Sequence, residues 1–322
     1  MTTSRPEKRV LTIAAGTPFL KTLAETLCDG TLTASYRYDP ADPLSLAKVT
    51  IYVPTRRSAR VLRSEFVDLL GGRSAILPLI RPLGETDDDS GFFEIENPEI
   101  MDLAPPISGT GRLIELARLI LAWRNSLPDA IRAIHSDSPL VAPASPADAI
   151  WLARALGEVI DAMDTEEKDW EALQHLDTGE HAQWWQLTAD FLKIASVFWP
   201  ARLAELNRSS AGRHRNGILR AEANRLANLP DTGPIIVAGS TGSIPAAADL
   251  IAAVADLPQG VVVLPGLDLA MSEEQWEAIA EDPTDPSSRT HSQYGLYMLL
   301  QKLGILRDDV DQVGAIDSDL EK

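Results

Sequence analysis

Residues 11–22, LTIAAGTPFLKT, run from an apolar strand through small residues to a Lys-Thr pair. That outline is the one a phosphate-binding loop uses, G-x-x-x-x-G-K-[ST]. In such a loop the glycines let backbone N–H groups wrap the phosphates, lysine reaches the β- and γ-phosphates, and the hydroxyl holds Mg²⁺. Aligning Lys21 and Thr22 with the terminal pair puts Ala15 and Leu20 at the two glycine positions, and Gly16 falls one residue late. Pro18 removes one N–H from the cradle. Leu20 is the most damaging change, because a branched side chain stands where only hydrogen fits against phosphate. A helix start still offers free N–H groups and a positive dipole end. Three readings stay open on these residues: a working ATPase, a degenerate phosphate loop, and an unrelated strand–turn–helix.

A second requirement bears on the choice. Mg-dependent ATP hydrolysis needs a carboxylate at the end of a later strand. The later strand PIIVAGSTGS ends in Ala238-Gly239-Ser240. Both requirements fail together, as expected of a site lost as a unit, so no bound ATP or Mg²⁺ and no cofactor is expected in this chain.

Other constellations bind rather than react. PTRRSAR places Thr55, Arg56, Arg57, Ser58 and Arg60 after a strand end. Their charges and hydroxyls suit phosphate contacts, against the alternative of solvated arginines at a helix start. Arginines there oppose the helix dipole, which makes them worth attention. Gly239, Ser240, Thr241, Gly242 and Ser243 form a turn of the kind that nests an anion, or simply a tight turn before a proline-started helix. Asp268 in LPGLD follows a strand and alone establishes nothing. Trp184, Trp185, Phe191, Phe198 and Trp199 have helical spacing, which favours core over base stacking. Histidines 175 and 181 stand six apart and make a poor zinc pair. No nucleophile–histidine arrangement stands out, so no catalytic residue is assigned and no metal ligand is expected.

The elements that position these residues read as follows. VLTIA at 10–14, VTIYVP at 49–54 and AILPLIRPLG at 75–84 are strand-like, with amphipathic helices over 18–28 and 55–70 between them. That alternation marks a parallel α/β sheet. An acidic, proline-bearing loop covers 85–108. From 109 to about 229 the pattern is helical; SPADAIWLARALG carries Ser145 as N-cap and Pro146 at the first helical position. Strand texture returns at 235–239 and 261–265 around a helix over 245–256, and SQYGLYMLLQKLG is a last helix. The expected organisation is a discontinuous α/β domain, 1–84 with 234–310, interrupted by an all-helical segment 109–233, and an end, 311–322, without core pattern.

Length and composition bound the rest. The 322 residues are 45% hydrophobic, enough for one or two packed domains. No apolar run approaches the ~20 residues of a membrane span. The polar start MTTSRPEKRV lacks a signal-type apolar stretch. Cys28 is the sole cysteine, which excludes internal disulfides and multi-cysteine metal sites. Cytoplasmic location is the expectation. Net charge of −18 argues against a uniformly nucleic-acid-binding surface. The charge is nevertheless segregated: Arg56, Arg57, Arg60 and Arg63 occupy 54–63 without an acid, and 85–102 holds eight acids without a base.

The blocks LTIAAGTPFLKTLAE, VTIYVPTRRSARVLRSEF, LPLIRPLG, IIVAGSTGSIPAAADLIAAVADLPQGVVVLPGLD and HSQYGLYMLLQKLG resemble, in order, the N-terminal part of the B subunits of AddAB helicase–nucleases in their alphaproteobacterial form. The likeness covers most of 9–304 and is weakest in the helical segment. It implies a RecA-like domain of the superfamily 1 helicase, P-loop type in 9–84 plus 234–270, with a 1B-like helical insertion. It also implies a degenerate ATP site, a motor-bearing A subunit (AddA) as partner, and DNA ends and single strands as ligands in recombinational double-strand break repair. Family members are about three times longer and end in a nuclease domain with an iron–sulfur cluster. By that likeness this chain is expected to be a fragment, without nuclease activity of its own. Two other readings remain: an active ATPase with an atypical loop, and a stand-alone α/β protein unrelated to repair.

Overall fold

Short β-branched runs make the sheet. In the computed structural model, which describes residues 8–33, 35–83, 97–127, 145–171, 182–229, 233–280 and 288–314, strands β1 (Arg9–Ile13), β2 (Thr50–Val53), β3 (Leu79–Pro82), β4 (Ile235–Ala238), β5 (Gly260–Pro265) and β6 (Asp311–Val313) form one six-stranded sheet. Its order is β3-β2-β4-β5-β1-β6, and every pairing is parallel. The central strands are buried on both faces, which is why they read as continuous apolar runs.

Alternate strand residues divide the core. Leu11, Ile13, Ile51, Val53, Ile236, Val261 and Val263 join one cluster with helices α1 (Phe19–Asp29) and α2 (Arg56–Leu70). The other parity, including Val10, Tyr52, Val237 and Val262, is buried on the opposite face. There a helix over Pro245–Ala255 packs on β4 and β5, and the helix Tyr294–Leu303 packs on that helix in turn.

The β3 edge is closed against further strands. Leu79 and Leu83 donate their N–H groups to Val49 and Val53 of the β2 side. By the two-residue period, Pro78, Ile80 and Pro82 then face outward. Two of these lack an N–H, and the Ile80 carbonyl accepts from the Arg63 guanidinium at 3.0 Å. A proline-bounded, charge-capped edge has little to offer an added strand.

The chain divides into two compact units, Met1–Met101 with Ile218–Lys322, and Asp102–Gly217. The described residues of the second unit are mainly helical: α3 (Gly109–Ser126), α4 (Pro146–Glu166), α5 (Ala182–Lys193) and α6 (Trp199–Glu205), followed by the start of α7 (Ala211–Ala227). Ser145 and Asp148 close a capping box on α4, with Pro146 just inside. Leu116, Ile120, Ala153, Leu156, Ile160, Ile194, Trp199 and Leu203 form its core. A five-residue π-helical turn, Ile194–Phe198, precedes Pro200, whose missing N–H disturbs the ladder there.

Two positions differ from the sequence reading. The helical segment was expected to run to 233, yet residues 218–227 of α7 group with the sheet unit. A buried network explains this: Glu222 accepts from the Tyr52 hydroxyl of β2, from Arg81 of β3 at 2.9 Å, and from Arg225 at 2.7 and 2.8 Å. The end 311–322 was expected to lie outside the core. Residues 311–313 instead form β6, with Leu11 opposite Asp311 and Ile13 opposite Val313. Residues 315–322 lie outside the described residues, as do 85–96 of the acidic loop and histidines 175 and 181.

Candidate functional site

In an open parallel sheet, ligands sit outside the carboxyl ends of the strands, where neighbouring connections leave in opposite directions. Here β2 leads outward to β3 while its neighbour β4 leads across to β5. Likewise β1 leads through α1 toward β2, and its neighbour β5 leads to β6 on the other side. The phosphate-type loop, the Thr55–Arg60 segment and the Gly239–Ser243 turn all follow strands at this carboxyl edge.

The connection from β1 to α1 is Ala14–Pro18. Gly16 takes φ of 83°, and the Thr17 N–H closes a turn on the Ala14 carbonyl at 3.3 Å. The helix starts at Phe19, ahead of Lys21 and Thr22, so both lie inside its first turns rather than at the mouth of the loop. Lys21 is exposed and stands 3.9 Å from Glu25 on its own helix. Thr22 is buried, and its methyl faces Gly314 so closely that a Cβ there would come within 2.4 Å. Leu20 packs half-buried against the α1–α2 core. Ala15 and Gly16 are exposed. Thr22 is thus buried, while the Lys21 ammonium stands in solvent.

The turn after β4 is held on several sides. The Gly239 N–H donates to the Val263 carbonyl at 2.9 Å, and the Ser240 hydroxyl accepts from the Gly242 N–H at 3.2 Å. Gly239 and Gly242 have φ of 79° and 64°. A Cβ on Gly239 would meet the Phe19 ring at 3.1 Å and Pro54 at 3.6 Å; one on Gly242 would meet Leu299 at 2.9 Å. Thr241 lies against Gly295, and Ser243 is exposed. The five residues of this turn carry no carboxylate.

After β5, Gly266 donates to the Ile13 carbonyl at 2.8 Å, and Leu267 donates to the Thr12 hydroxyl at 3.0 Å. The Asp268 carboxylate accepts from the N–H groups of Ala270 and Met271 at 2.9 and 3.0 Å, so it closes its own turn. Gln293 ties this turn down, donating to the Gly266 carbonyl at 3.0 Å and accepting from the Asp268 N–H at 3.2 Å.

The segment after β2 is the most polar. Thr55 is the N-cap of α2; its hydroxyl accepts from the Ser58 N–H at 3.0 Å and meets the Ser58 hydroxyl at 3.0 Å. The two hydroxyls therefore serve the cap first. Arg56 is half-exposed, and Arg57 and Arg60 are exposed. Among the described residues Arg57 and Arg60 make no hydrogen bond or ion pair, whereas Arg63 is tied to β3. No acid lies in the first turn of α2, so the guanidinium groups add to the positive helix end.

Of the aromatics singled out by spacing, Trp199 is in the helical core, and Phe191 meets Trp123 edge-on at 5.1 Å. Phe198 is 52% exposed, and the Trp184 and Trp185 side chains lie outside the described residues. Trp151 of α4 is 70% exposed and has no counterpart in the sequence reading. Burial pushes the Cys28 thiol up to about 11, aided by Asp29, which makes it an inert thiol at neutral pH. Among the described residues no group of three His, Cys, Asp or Glu is placed to hold a metal ion, and no helix is long and apolar enough to cross a membrane. A cavity of about 370 Å³ opens at the amino ends of β1 and β5, away from these loops.

Sequence reasoning missed Phe19, Gln293 and Glu222. Phe19 and Gln293 gave no local signal, because their roles rest on contacts with distant turns. Glu222 sits among arginines in RAEANR, a pattern that reads as a solvated face. No protein-family model matches the chain, and no curated protein matches it.

Proposed function

We propose that this chain is a helicase-like, catalytically inert part of a complex that processes DNA ends for recombinational repair, as the resemblance to AddAB B subunits implies. On this reading the parallel sheet is a RecA-like domain, and the helical unit is its 1B-like insertion. The carboxyl-edge crevice is a nucleotide site that has lost its chemistry. Its role is to bind DNA and an AddA-type motor subunit in the cytoplasm.

The observation that carries this reading is the contrast within one edge of the sheet. The β1–α1 loop keeps the phosphate-loop outline, yet its glycine positions hold Ala15 and Leu20, Thr22 is buried, and Asp268 is spent on its own turn. At the same carboxyl edge, after β2 and with β4 and β5 between it and β1, Arg57 and Arg60 stand exposed at the positive start of α2. An edge with cations and no hydrolytic groups is suited to holding a phosphodiester backbone rather than cleaving a triphosphate.

Binding of a fluorescent single-stranded oligonucleotide, titrated over a range of salt, tests the DNA part. Each single-strand phosphate neutralised contributes a log–log salt slope of about −0.7. Replacing Arg57 and Arg60 by Ala therefore flattens the slope by about 1.4 if each holds one phosphate; adding Arg56→Ala flattens it further if that side chain contributes. Equal affinity and equal slope in parent and variants would remove DNA from the proposal.

A further inference from the structure

The two loops that a phosphate group would bridge are bridged by a side chain of the protein. Phe19 is the first residue of α1, at the end of the β1 loop. It is half-buried, and its ring packs on the α1–α2 core at one end. At the other end the ring edge lies against Gly239, the first residue after β4, so closely that a Cβ there would stand 3.1 Å away. Pro54, which follows β2, closes the same spot from a third strand. Gly239 also holds φ of 79° and donates to Val263, so it is fixed from the sheet side as well. The ring therefore meets a backbone that has no side chain and little freedom to move.

We infer that Phe19 is an internal wedge that locks the β1–α1 loop to the β4–α8 turn, where α8 is the helix Pro245–Ala255. It takes over the mechanical part of a bound ligand's work, which is to hold facing loops in one arrangement. The crevice is thereby kept in a single state without any ligand. Gly239 is the matching half of the device, because any side chain there displaces the ring. The lock stands whether or not the chain binds DNA, and its readout is independent of oligonucleotide or nucleotide binding.

Hydrogen exchange on the full chain tests it. Phe19→Ala is expected to speed exchange at least tenfold at Thr17, whose N–H bonds the Ala14 carbonyl, and, together with it, at Gly239 and Gly242, whose N–H groups bond Val263 and Ser240. The strand amides of β4 and β5 should keep their protection. Phe19→Leu keeps the core contact, loses the ring edge, and is expected to show the same paired loss at smaller amplitude; it carries the test should the alanine variant fail to fold. Gly239→Ala attacks the contact from the other side and is expected to loosen Thr17. Leu20→Ala, in the same helix turn but directed at the core, serves as the control and should leave Gly239 and Gly242 unchanged. Unchanged exchange at Gly239 and Gly242 in the foldable Phe19 variants would overturn the inference. So would a uniform loss across β4, β5 and both loops, since that is the behaviour of simple core filler.

Discussion

Removing the Glu222 carboxylate should unseat the sheet unit more than any change at its surface. Glu222 is fully buried, and its two oxygens accept from the Tyr52 hydroxyl, Arg81 at 2.9 Å, and Arg225 at 2.7 and 2.8 Å. Arg81 is 3% exposed and Tyr52 is buried. Glu222→Ala takes a buried acceptor from Arg81, whose side chain water hardly reaches, and from the partly exposed Arg225. Breaking a buried pair from one side costs about 3–5 kcal/mol. With a urea slope near 3 kcal/mol/M, that lowers the unfolding midpoint of the sheet unit by roughly 1–1.7 M. Tyr52→Phe removes one donor to the carboxylate and should cost about 1.5–3 kcal/mol. Circular dichroism during urea titration, with tryptophan emission as a second probe, reads both.

The pH dependence has a definite sign. Burial pushes the Glu222 carboxyl up, but Arg225, Tyr52 and Arg81 outweigh it and hold the carboxyl below the ordinary glutamate range. A depressed folded value contributes stability above the unfolded pKa, and that stability is lost as pH falls through the folded one. The parent should therefore lose this contribution only in acid, and Glu222→Ala should flatten the acid limb. A midpoint shift corresponding to less than about 1 kcal/mol, with an unaltered acid limb, would refute the reasoning, because a buried carboxylate facing two arginines cannot be removed so cheaply.

Two further outcomes follow from the fold. Gly314→Ala should cost about 1–3 kcal/mol and free the β6 amides to exchange, because Gly314 holds φ of 85° and its Cβ would press on Thr22 at 2.4 Å; hydrogen exchange at Asp311–Val313 checks this. Arg63→Ala combined with Pro82→Val should raise self-association in sedimentation velocity above that of the parent chain, since it uncaps the Ile80 carbonyl and returns an outward N–H to β3.

The strands were legible where they are buried on both faces. VTIYVP and PIIVAG are β-branched runs with turn residues after them, and their parallel arrangement follows from the helices between. The edge character of β3 was legible from its prolines. β6 was not, because DQV holds one apolar residue beside an acid and an amide and becomes a strand only by pairing with β1. The phosphate-loop outline was also legible, but not the fate of its residues. Motif spacing assumes a loop of fixed length; here the helix begins at Phe19, and Thr22 is buried with its methyl against Gly314. Thr55 and Ser58 were expected at a binding face, and the cap of α2 claims both hydroxyls. The boundary of the helical unit was misplaced because Glu222, which fixes α7 to the sheet, is chemically a surface residue in every respect except its partners.

The central claim is that the carboxyl edge of this sheet has the shape of a nucleotide site without its chemistry. Isothermal calorimetry of the chain with Mg-ATP, followed by a phosphate-release assay on the same sample, tests it most directly. The account predicts binding weaker than about 1 mM and no release of phosphate above the buffer rate. Micromolar binding with turnover would contradict it, since the buried Thr22 would then have to leave the place where Gly314 meets it.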